Sequence, residues 1–301
     1  MSGFLLLPFR AALALALFFA LNCSETVPTF DGKRAFGYLQ NQCDFGPRNP
    51  GSEGHQNTKQ YLHDILSKMT NLVSTQEFIY FDSTLKREFI LTNIVATFYP
   101  ENKERILLCA HWDTRPWADQ DSVISNRTKP ILGANDGASG VAVLLELVNI
   151  LSQKKPKYGV DMVFFDGEDS GIKGNPKHYC LGSTFFAKNL PIPKPKFGIL
   201  LDLVGDRDLQ IYKEQYSFTY APEIVNLIWD KAQKLKLSAF HPEVRHALWD
   251  DHMPLILAGI PTVDIIDFDY PYWHTLGDTP DKCSAQSLET VGKLLISILY
   301  D

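Results

Sequence analysis

The sequence has no Cys-x-x-Cys pair, no internal repeat and no low-complexity tract. Without paired cysteines at that spacing, zinc ribbons and thiol redox motifs are excluded. An excess of basic residues is also absent, because the 301 residues include 29 Lys and Arg against 35 Asp and Glu. The resulting formal net charge of −6 disfavours a nucleic-acid partner.

The first 23 residues contain no acidic residue and carry one apolar stretch, from Ala11 to Leu21. That stretch is too short for a typical spanning helix, so this segment is predicted to be a secretory leader. Residues 24–301 would then form a single catalytic domain, with 28 basic against 35 acidic residues and a formal net charge of −7. The protein is therefore expected to be exported.

Cys23 lies where a bacterial lipoprotein would be cleaved and acylated. The residue before it, Asn22, is unusual at such a site, so lipid acylation and simple cleavage both stay open. A periplasmic, secreted or lipid-anchored protein fits the leader, and any contact with a membrane would run through an anchor at Cys23.

Four further cysteines remain in the mature chain, at positions 43, 109, 180 and 283. One or two disulfides would suit an exported protein, but the sequence leaves the pairing of Cys43, Cys109, Cys180 and Cys283 open. Cys109 follows the apolar run Ile106-Leu107-Leu108, which favours a small buried hydrophobe at this position.

Short apolar runs alternate with helical patterns along the mature chain. Strands are predicted at Phe78–Phe81, Phe89–Phe98, Arg105–Ala110, Asp161–Phe165, Phe197–Val204 and Pro261–Ile266. Helices are predicted at Glu53–Met69, Gly137–Leu151, Ser183–Lys188, Pro222–Leu235 and Ser284–Tyr300. This alternation predicts an α/β fold, a three-layer sandwich with a mostly parallel, mixed central sheet.

Polar residues stand at or near the ends of several predicted strands, where ligands bind in open α/β sheets. His111 follows one strand, and the adjacent acids Glu168 and Asp169 follow another. Two neighbouring carboxylates repel each other, so a positive partner is predicted. Asp202 interrupts an apolar run, where an unpaired carboxylate would cost several kcal/mol.

Two more residues complete a candidate metal site. Asp136 alone would pass for a helix cap or turn former, and His274 alone for an exposed loop histidine. Together with the strand-end acids, however, they form an oxygen-rich donor set with an imidazole, which is typical of catalytic zinc. The sequence therefore predicts a zinc site assembled by the fold.

The motifs around these residues resemble those of a known family. They are Gly-Ala-Asn-Asp-Gly-Ala-Ser-Gly, Phe-Phe-Asp-Gly-Glu-Asp, Leu-Leu-Asp-Leu-Val-Gly, Asp250-Asp251-His252 and Trp273-His274-Thr275. In this order they resemble the animal-type glutaminyl cyclases and their bacterial relatives, which belong to the superfamily of co-catalytic zinc aminopeptidases. The resemblance extends from about Cys43-Asp44-Phe45-Gly46-Pro47-Arg48 to the C-terminal helix.

The resemblance implies a role for each matching residue. One zinc ion per chain would be bound by Asp136, Asp169 and His274, with a fourth position open for water or substrate. Glu168 would be the general acid and base. Asp202 and Asp250 would belong to the hydrogen-bonding network around the leaving group, and Trp273 would form a pocket wall. The implied activity is cyclisation of N-terminal glutamine to pyroglutamate with release of ammonia, on peptides or proteins. The oligomeric state stays open, and a monomer is expected.

Three departures from the vertebrate enzymes concern single residues. The second acid of the pair is Asp169 rather than glutamate, although bacterial relatives share the aspartate. Asp264 stands where vertebrate cyclases have a histidine, and its role stays open. Gly174 lies near the place where they carry a pocket tryptophan.

Two alternative interpretations remain. His111 and Asp202 occupy the positions of second-zinc ligands in the peptidase branch, so a two-zinc aminopeptidase is the chief rival. An exported binding protein that lost catalysis is the other, and Glu168 argues against it. The Asp250-Asp251-His252 segment and Trp273 before His274 favour the cyclase.

Overall fold

The structure, a computed structural model, describes residues 27–82, 86–171 and 178–301. The predicted leader, Cys23 and Gly174 lie outside the described residues. The strands are β1 (Val73–Asp82), β2 (Arg87–Phe98), β3 (Arg105–His111), β4 (Gly159–Phe165), β5 (Gly198–Asp202), β6 (Ile211–Lys213), β7 (Phe240–Val244) and β8 (Thr262–Ile266). The α-helices are α1 (Gly32–Asp44), α2 (Glu53–Met69), α3 (Ala138–Leu151), α4 (Leu181–Lys188), α5 (Gln215–Tyr220), α6 (Pro222–Lys234), α7 (His252–Leu257) and α8 (Ala285–Tyr300).

The main sheet has six strands in the order β1-β2-β4-β3-β5-β8. The four strands β4, β3, β5 and β8 are mutually parallel, and β2 joins them antiparallel to β4. β1 pairs antiparallel with β2, over Val73–Asp82. The predicted mixed, mostly parallel sheet is confirmed, and a separate parallel pair, β6 with β7, was not predicted.

Helices cover both faces of the main sheet, which explains why its central strands are almost continuously apolar. Successive side chains of a strand point to opposite faces. In β3, Ile106 and Leu108 pack in the core under α3 and α8, whereas Leu107 and Cys109 pack in a second core with residues of α4 and α7. These two cores and the sheet between them form the predicted three layers.

Close packing of α3 against the sheet positions the loop that precedes this helix. Gly137 has φ +93°, a conformation that favours glycine, and immediately precedes the helix. At Gly140 a Cβ atom would lie 2.3 Å from the carbonyl oxygen of Leu201, so only glycine allows α3 to approach β5 this closely. Asp136, just before Gly137, is thereby held against the end of β5.

Several expectations from the sequence match the observed bounds closely. The predicted helix Glu53–Met69 is confirmed residue for residue as α2. The predicted strand from Phe197 to Val204 is too long, because β5 ends at Asp202 and Leu203 adopts a positive φ of 49°.

The four cysteines whose pairing was open are all free and buried: Cys43, Cys109, Cys180 and Cys283. The prediction of Cys109 as a buried hydrophobe is confirmed.

Within the described residues, none of the helices is both long and apolar enough to cross a membrane.

A buried ion pair joins β3 to β4 at the end of the sheet away from the site. Arg105 donates from Nε to Asp161 Oδ2 at 2.8 Å and from Nη2 to Asp161 Oδ1 at 2.7 Å. Both residues are at most 4% exposed. Removing only one partner would therefore leave the charge of the other buried and unpaired, which destabilises the fold.

Replacing Arg105 with Met is expected to lower the free energy of unfolding by about 3–5 kcal/mol, because the carboxylate of Asp161 would stay buried without its partner. The double variant Arg105→Met, Asp161→Leu should regain most of that loss, since a buried pair is often replaceable by apolar residues. Urea unfolding of the three proteins measures both effects. A double variant no more stable than the single one would contradict this interpretation.

Candidate metal centre

The sequence-predicted site residues meet at the carboxyl ends of the central strands. His111 is the last residue of β3, and Asp202 is the last residue of β5. Glu168 and Asp169 follow the end of β4, while His274 comes from the loop between β8 and α8. The prediction that strand-end residues converge is confirmed.

The first cluster, called the zinc cluster below, consists of Asp136, Asp169 and His274, whose ligand atoms lie within 4.8 Å of one another. His274 Nε2 is 3.2 Å from Asp169 Oδ1 and 3.5 Å from Asp136 Oδ2. Asp136 Oδ2 and Asp169 Oδ2 are buried and have no hydrogen-bond partner. Unsatisfied buried carboxylate oxygens facing an imidazole nitrogen fit a divalent cation, and the donor set matches that of catalytic zinc sites.

Two residues that sequence reasoning missed orient this cluster. Asp119 Oδ1 lies 3.4 Å from Nδ1 of His274, so the carboxylate holds the ring with Nε2 towards the two aspartates. Arg115 donates to Asp119 at 2.7 Å and to Asp169 Oδ1 at 3.1 Å. Both residues lie in the loop after β3, and nothing in the sequence of that loop indicates that they contact His274 and Asp169.

The electrostatics of the zinc cluster favour a positive charge at its centre. Burial lowers the pKa of His274, but the surrounding carboxylates, led by Asp169, outweigh it and raise the pKa to about 9. Burial and the negative charge of Asp169 raise the pKa of Asp136. A divalent cation would satisfy both groups at once.

A second cluster shares Asp136 with the first and consists of His111, Asp136 and Asp202. His111 Nε2 is 3.1 Å from Asp202 Oδ1 and 3.3 Å from Asp136 Oδ1. Asp136 thus points one oxygen at each histidine, as a carboxylate bridging two metal ions would. The geometry alone therefore leaves room for the two-zinc interpretation.

Backbone hydrogen bonds hold the metal-facing carboxylates in place. Asp113 accepts from the amides of Glu168 and Asp169, at 3.1 and 3.2 Å. Asp278 accepts from the amide of Asp136 at 3.1 Å. Asp113 was visible in the sequence beside His111, but these pairings join residues 55 to 142 positions apart, and only the fold reveals them.

Glu168 faces the same cleft as the zinc cluster without belonging to it. Burial, and next the carboxylates of Asp169 and Asp250, raise its pKa well above the ordinary value. Its Oε1 accepts a hydrogen bond from Cys180 Sγ at 3.6 Å. The carboxyl is thus sheltered and close to the zinc cluster, which suits a group that transfers protons.

A group of buried polar side chains lies next to Asp250, behind the cleft. Asp264 is fully buried in β8, and burial and Asp250 raise its pKa well above the ordinary value. His252 Nδ1 lies 3.8 Å from Asp264 Oδ2, and its Nε2 lies 3.2 Å from Glu214 Oε2. Asp264 therefore belongs to a buried chain of acids and imidazole that leads to the cleft.

Aromatic residues form the walls of the cleft. Trp273 stacks on His274 with ring centroids 3.8 Å apart and packs edge-on against Phe268 at 4.9 Å. Tyr179 and Trp249 also line the cleft, and the sequence analysis missed both. Trp249 remains about half exposed at 51%, so its indole is available to a ligand.

Comparison with known proteins places this arrangement in a family. Residues 93–299, which include every residue of both metal clusters, match the model of peptidase family M28. The chain belongs to peptidase family M28. The resemblance to glutaminyl cyclases within this fold is confirmed as well.

A glutaminyl-peptide cyclotransferase of Gloydius blomhoffii is 23% identical over 282 residues, covering 82% of this M28 chain and 75% of the relative. The crystal structure of a Bacteroides thetaiotaomicron glutaminyl cyclase bound to N-acetylhistamine is 38% identical, with a TM-score of 0.88, covering 92% of this chain and 99% of that one. A Zn-dependent exopeptidase from Parabacteroides distasonis is 36% identical, also with a TM-score of 0.88, covering 92% and 100%.

The contact between Asp119 and His274 predicts a change in metal affinity. Asp119→Asn should weaken zinc binding by about 10–100-fold, because the amide is a poorer partner for the ring nitrogen that orients the ligand. Competition with a chromophoric chelator measures the affinity. The matched control is Asp208→Asn, at an exposed loop position. Equal zinc affinity in the Asp119 variant and the control would contradict the assigned role.

Proposed function

We propose that this chain is a glutaminyl-peptide cyclotransferase, an acyltransferase that converts N-terminal glutamine to pyroglutamate and releases ammonia. The observation that carries the proposal is one cleft lined by the zinc cluster, by Glu168 with its raised pKa, and by the indole of Trp273. The similarity to proteins named glutaminyl cyclases supports the same activity.

The zinc cluster supplies the electrophilic part of the proposed site. A zinc ion held by Asp136, Asp169 and His274 would polarise the γ-carbonyl group and stabilise the negative charge that develops on its oxygen. We propose one such ion per chain. The protein's part is to present three ligands and leave the cleft side open.

Glu168 moves the proton in the proposed reaction. The α-amino nitrogen of the N-terminal glutamine attacks its own γ-carbonyl carbon, so that a C–N bond closes the five-membered lactam. The bond to the side-chain amide nitrogen then breaks. Glu168 accepts a proton from the attacking amine and returns it to the departing nitrogen, which leaves as ammonia.

The other cleft residues hold the substrate in this proposal. Asp202 and Asp250 line the cleft beside Glu168 and accept hydrogen bonds from the leaving nitrogen. Trp273, buttressed by Phe268, is the wall against which the glutamine side chain folds. Since nucleophile and electrophile belong to one residue, holding that residue in attack geometry supplies much of the catalysis.

A two-zinc exopeptidase is the second candidate function, because His111, Asp136 and Asp202 form a cluster of their own. The name of the Parabacteroides distasonis structure points the same way. The two candidates differ in their products. A cyclase releases ammonia and keeps the peptide intact, whereas an exopeptidase releases a free amino acid.

Peptides beginning with Gln and with Leu, otherwise identical, separate these functions. The purified zinc-loaded protein is expected to release ammonia from the Gln peptide and to leave the Leu peptide unchanged, with products identified by mass spectrometry. If the Leu peptide releases free leucine and the Gln peptide releases no ammonia, the cyclase is contradicted and the exopeptidase is favoured.

Substitutions of the adjacent acids Glu168 and Asp169 are expected to impair activity in different ways. Glu168→Gln should keep zinc but lose about 10²–10⁴ in rate, the usual contribution of a positioned general base. Asp169→Asn should lose zinc first and activity with it, because a neutral amide is a poorer ligand. Zinc content and ammonia release of both variants are measured, with circular dichroism as the folding control. Wild-type turnover in Glu168→Gln would overturn the mechanism.

We also propose that the protein acts outside the cytoplasm, on exported peptides or proteins with N-terminal glutamine. The acid-free, apolar leader in residues 1–23 supports this location. Both lipid anchoring at Cys23 and release after cleavage are compatible with it. The mature chain is proposed to act as a monomer.

A further inference from the structure

A cysteine lies against the proposed general base and has no part in the reaction above. Cys180, fully buried, places Sγ 3.6 Å from Glu168 Oε1. Glu168, Cys180 and Asp250 present ligand atoms that all lie within 4.8 Å of one another. We call these three residues the thiol cluster. A thiol with two carboxylates is a donor set for zinc and for softer divalent cations such as cadmium.

Asp250 gives an independent reason to expect a cation in the thiol cluster. Asp250 is 6% exposed, and its Oδ1 accepts a hydrogen bond from the amide of Asp251, whereas its Oδ2 atom has no hydrogen-bond partner. Leaving a buried carboxylate oxygen unsatisfied is unfavourable, and a cation at this position would satisfy it. The zinc cluster does not include Asp250, so its ion would leave this oxygen without a ligand bond.

The backbone holds Cys180 in place beside Glu168. The amide of Cys180 donates to the carbonyl of Glu168 at 3.0 Å, and its own carbonyl accepts from the amide of Thr184 at 3.0 Å in the first turn of α4. Cys180 has φ +53°, a left-handed conformation that is uncommon for a residue with a side chain. The backbone thus places Cys180 beside Glu168, and its Sγ also lies 4.0 Å from the carbonyl oxygen of Trp249.

A cation can reach this cluster through the catalytic cleft. Glu168 and Asp250 line the cleft, and Cys180 lies directly behind Glu168. Of the three donors, the thiol is the soft ligand, which thiophilic cations bind more strongly than hard cations such as Mg²⁺ or Ca²⁺ do. The cluster therefore selects cations that bind thiolate strongly.

We propose that Glu168, Cys180 and Asp250 form an inhibitory site for a thiophilic divalent cation, Cd²⁺ or Zn²⁺ in excess, separate from the zinc cluster. Binding forms a metal–sulfur bond and releases the thiol proton to solvent. The bound cation takes the Glu168 carboxylate as a ligand, so the carboxylate can no longer accept a proton from the substrate amine. Only this inhibitory consequence rests on the proposed cyclase function.

Titration of the zinc-loaded protein with Cd²⁺ tests the site without any substrate. A Cd–thiolate charge-transfer band in the ultraviolet requires sulfur, which the zinc cluster lacks. The wild type is expected to show this band with one added Cd²⁺ per chain, whereas Cys180→Ala should lose the band and keep its zinc. The matched control is Cys109→Ala, which removes another fully buried cysteine and should retain the band.

Two further variants keep the proposal testable if Cys180→Ala does not fold. Cys180→Ser preserves the size and polarity of the side chain and should also lose the band. Asp250→Asn keeps the thiol and should weaken Cd²⁺ binding by more than about tenfold, since even partners outside the ligand set contribute that much. Circular dichroism checks the fold of each variant.

Inhibition is measured separately, as ammonia release from a Gln-initiated peptide. Cd²⁺ should inhibit the wild type over the concentration range that produces the band, and Cys180→Ser should shift this inhibition to higher Cd²⁺. A band that persists without the Cys180 thiol, or no band in the zinc-loaded wild type, would overturn the site. Absence of any glutamine cyclisation would instead overturn the proposed function, and the band would still decide on the site.

Discussion

Buried negative charge at the carboxyl ends of β3, β4 and β5 is the constraint on which the rest of this structure depends. Asp113, Asp136 and Asp169 are each at most 3% exposed. Carboxylates at such depth persist only where positive charge or hydrogen bonds compensate them. Arg48 and Arg115, both about 1% exposed or less, lie among them.

The fold distributes this compensation in two ways. Asp113 and Asp278, which belong to neither metal cluster, accept hydrogen bonds from backbone amides, and the charge of Arg48 lies near both. By contrast, Asp136 Oδ2 and Asp169 Oδ2 have no hydrogen-bond partner. The supporting acids Asp113 and Asp278 thus take the backbone hydrogen bonds, and the unsatisfied oxygens of Asp136 and Asp169 remain available to a cation.

The sequence predicted the sheet and the strand-end acids because each carries a local signal, whereas Asp136 and His274 were assigned through the resemblance of their motifs. Asp202 interrupts an apolar run, and Glu168 and Asp169 end a buried strand. The supporting residues carry no such signal, since Asp119 and Asp278 meet the ligands only through contacts across the fold. Helix α1 was missed although Ala35, Leu39 and Cys43 recur at helical spacing on its buried face.

The number of metal ions decides how the site works, since Asp136 serves both clusters. With one ion in the zinc cluster, His111 Nε2 hydrogen-bonds to Asp202 and lies 3.3 Å from Asp136 Oδ1, and Glu168 is the only proposed proton carrier. Anomalous X-ray diffraction at the zinc edge, on crystals of the fully active protein, tests this most directly. A single peak is expected among Asp136, Asp169 and His274. A second peak of equal height between His111 and Asp202 would contradict it.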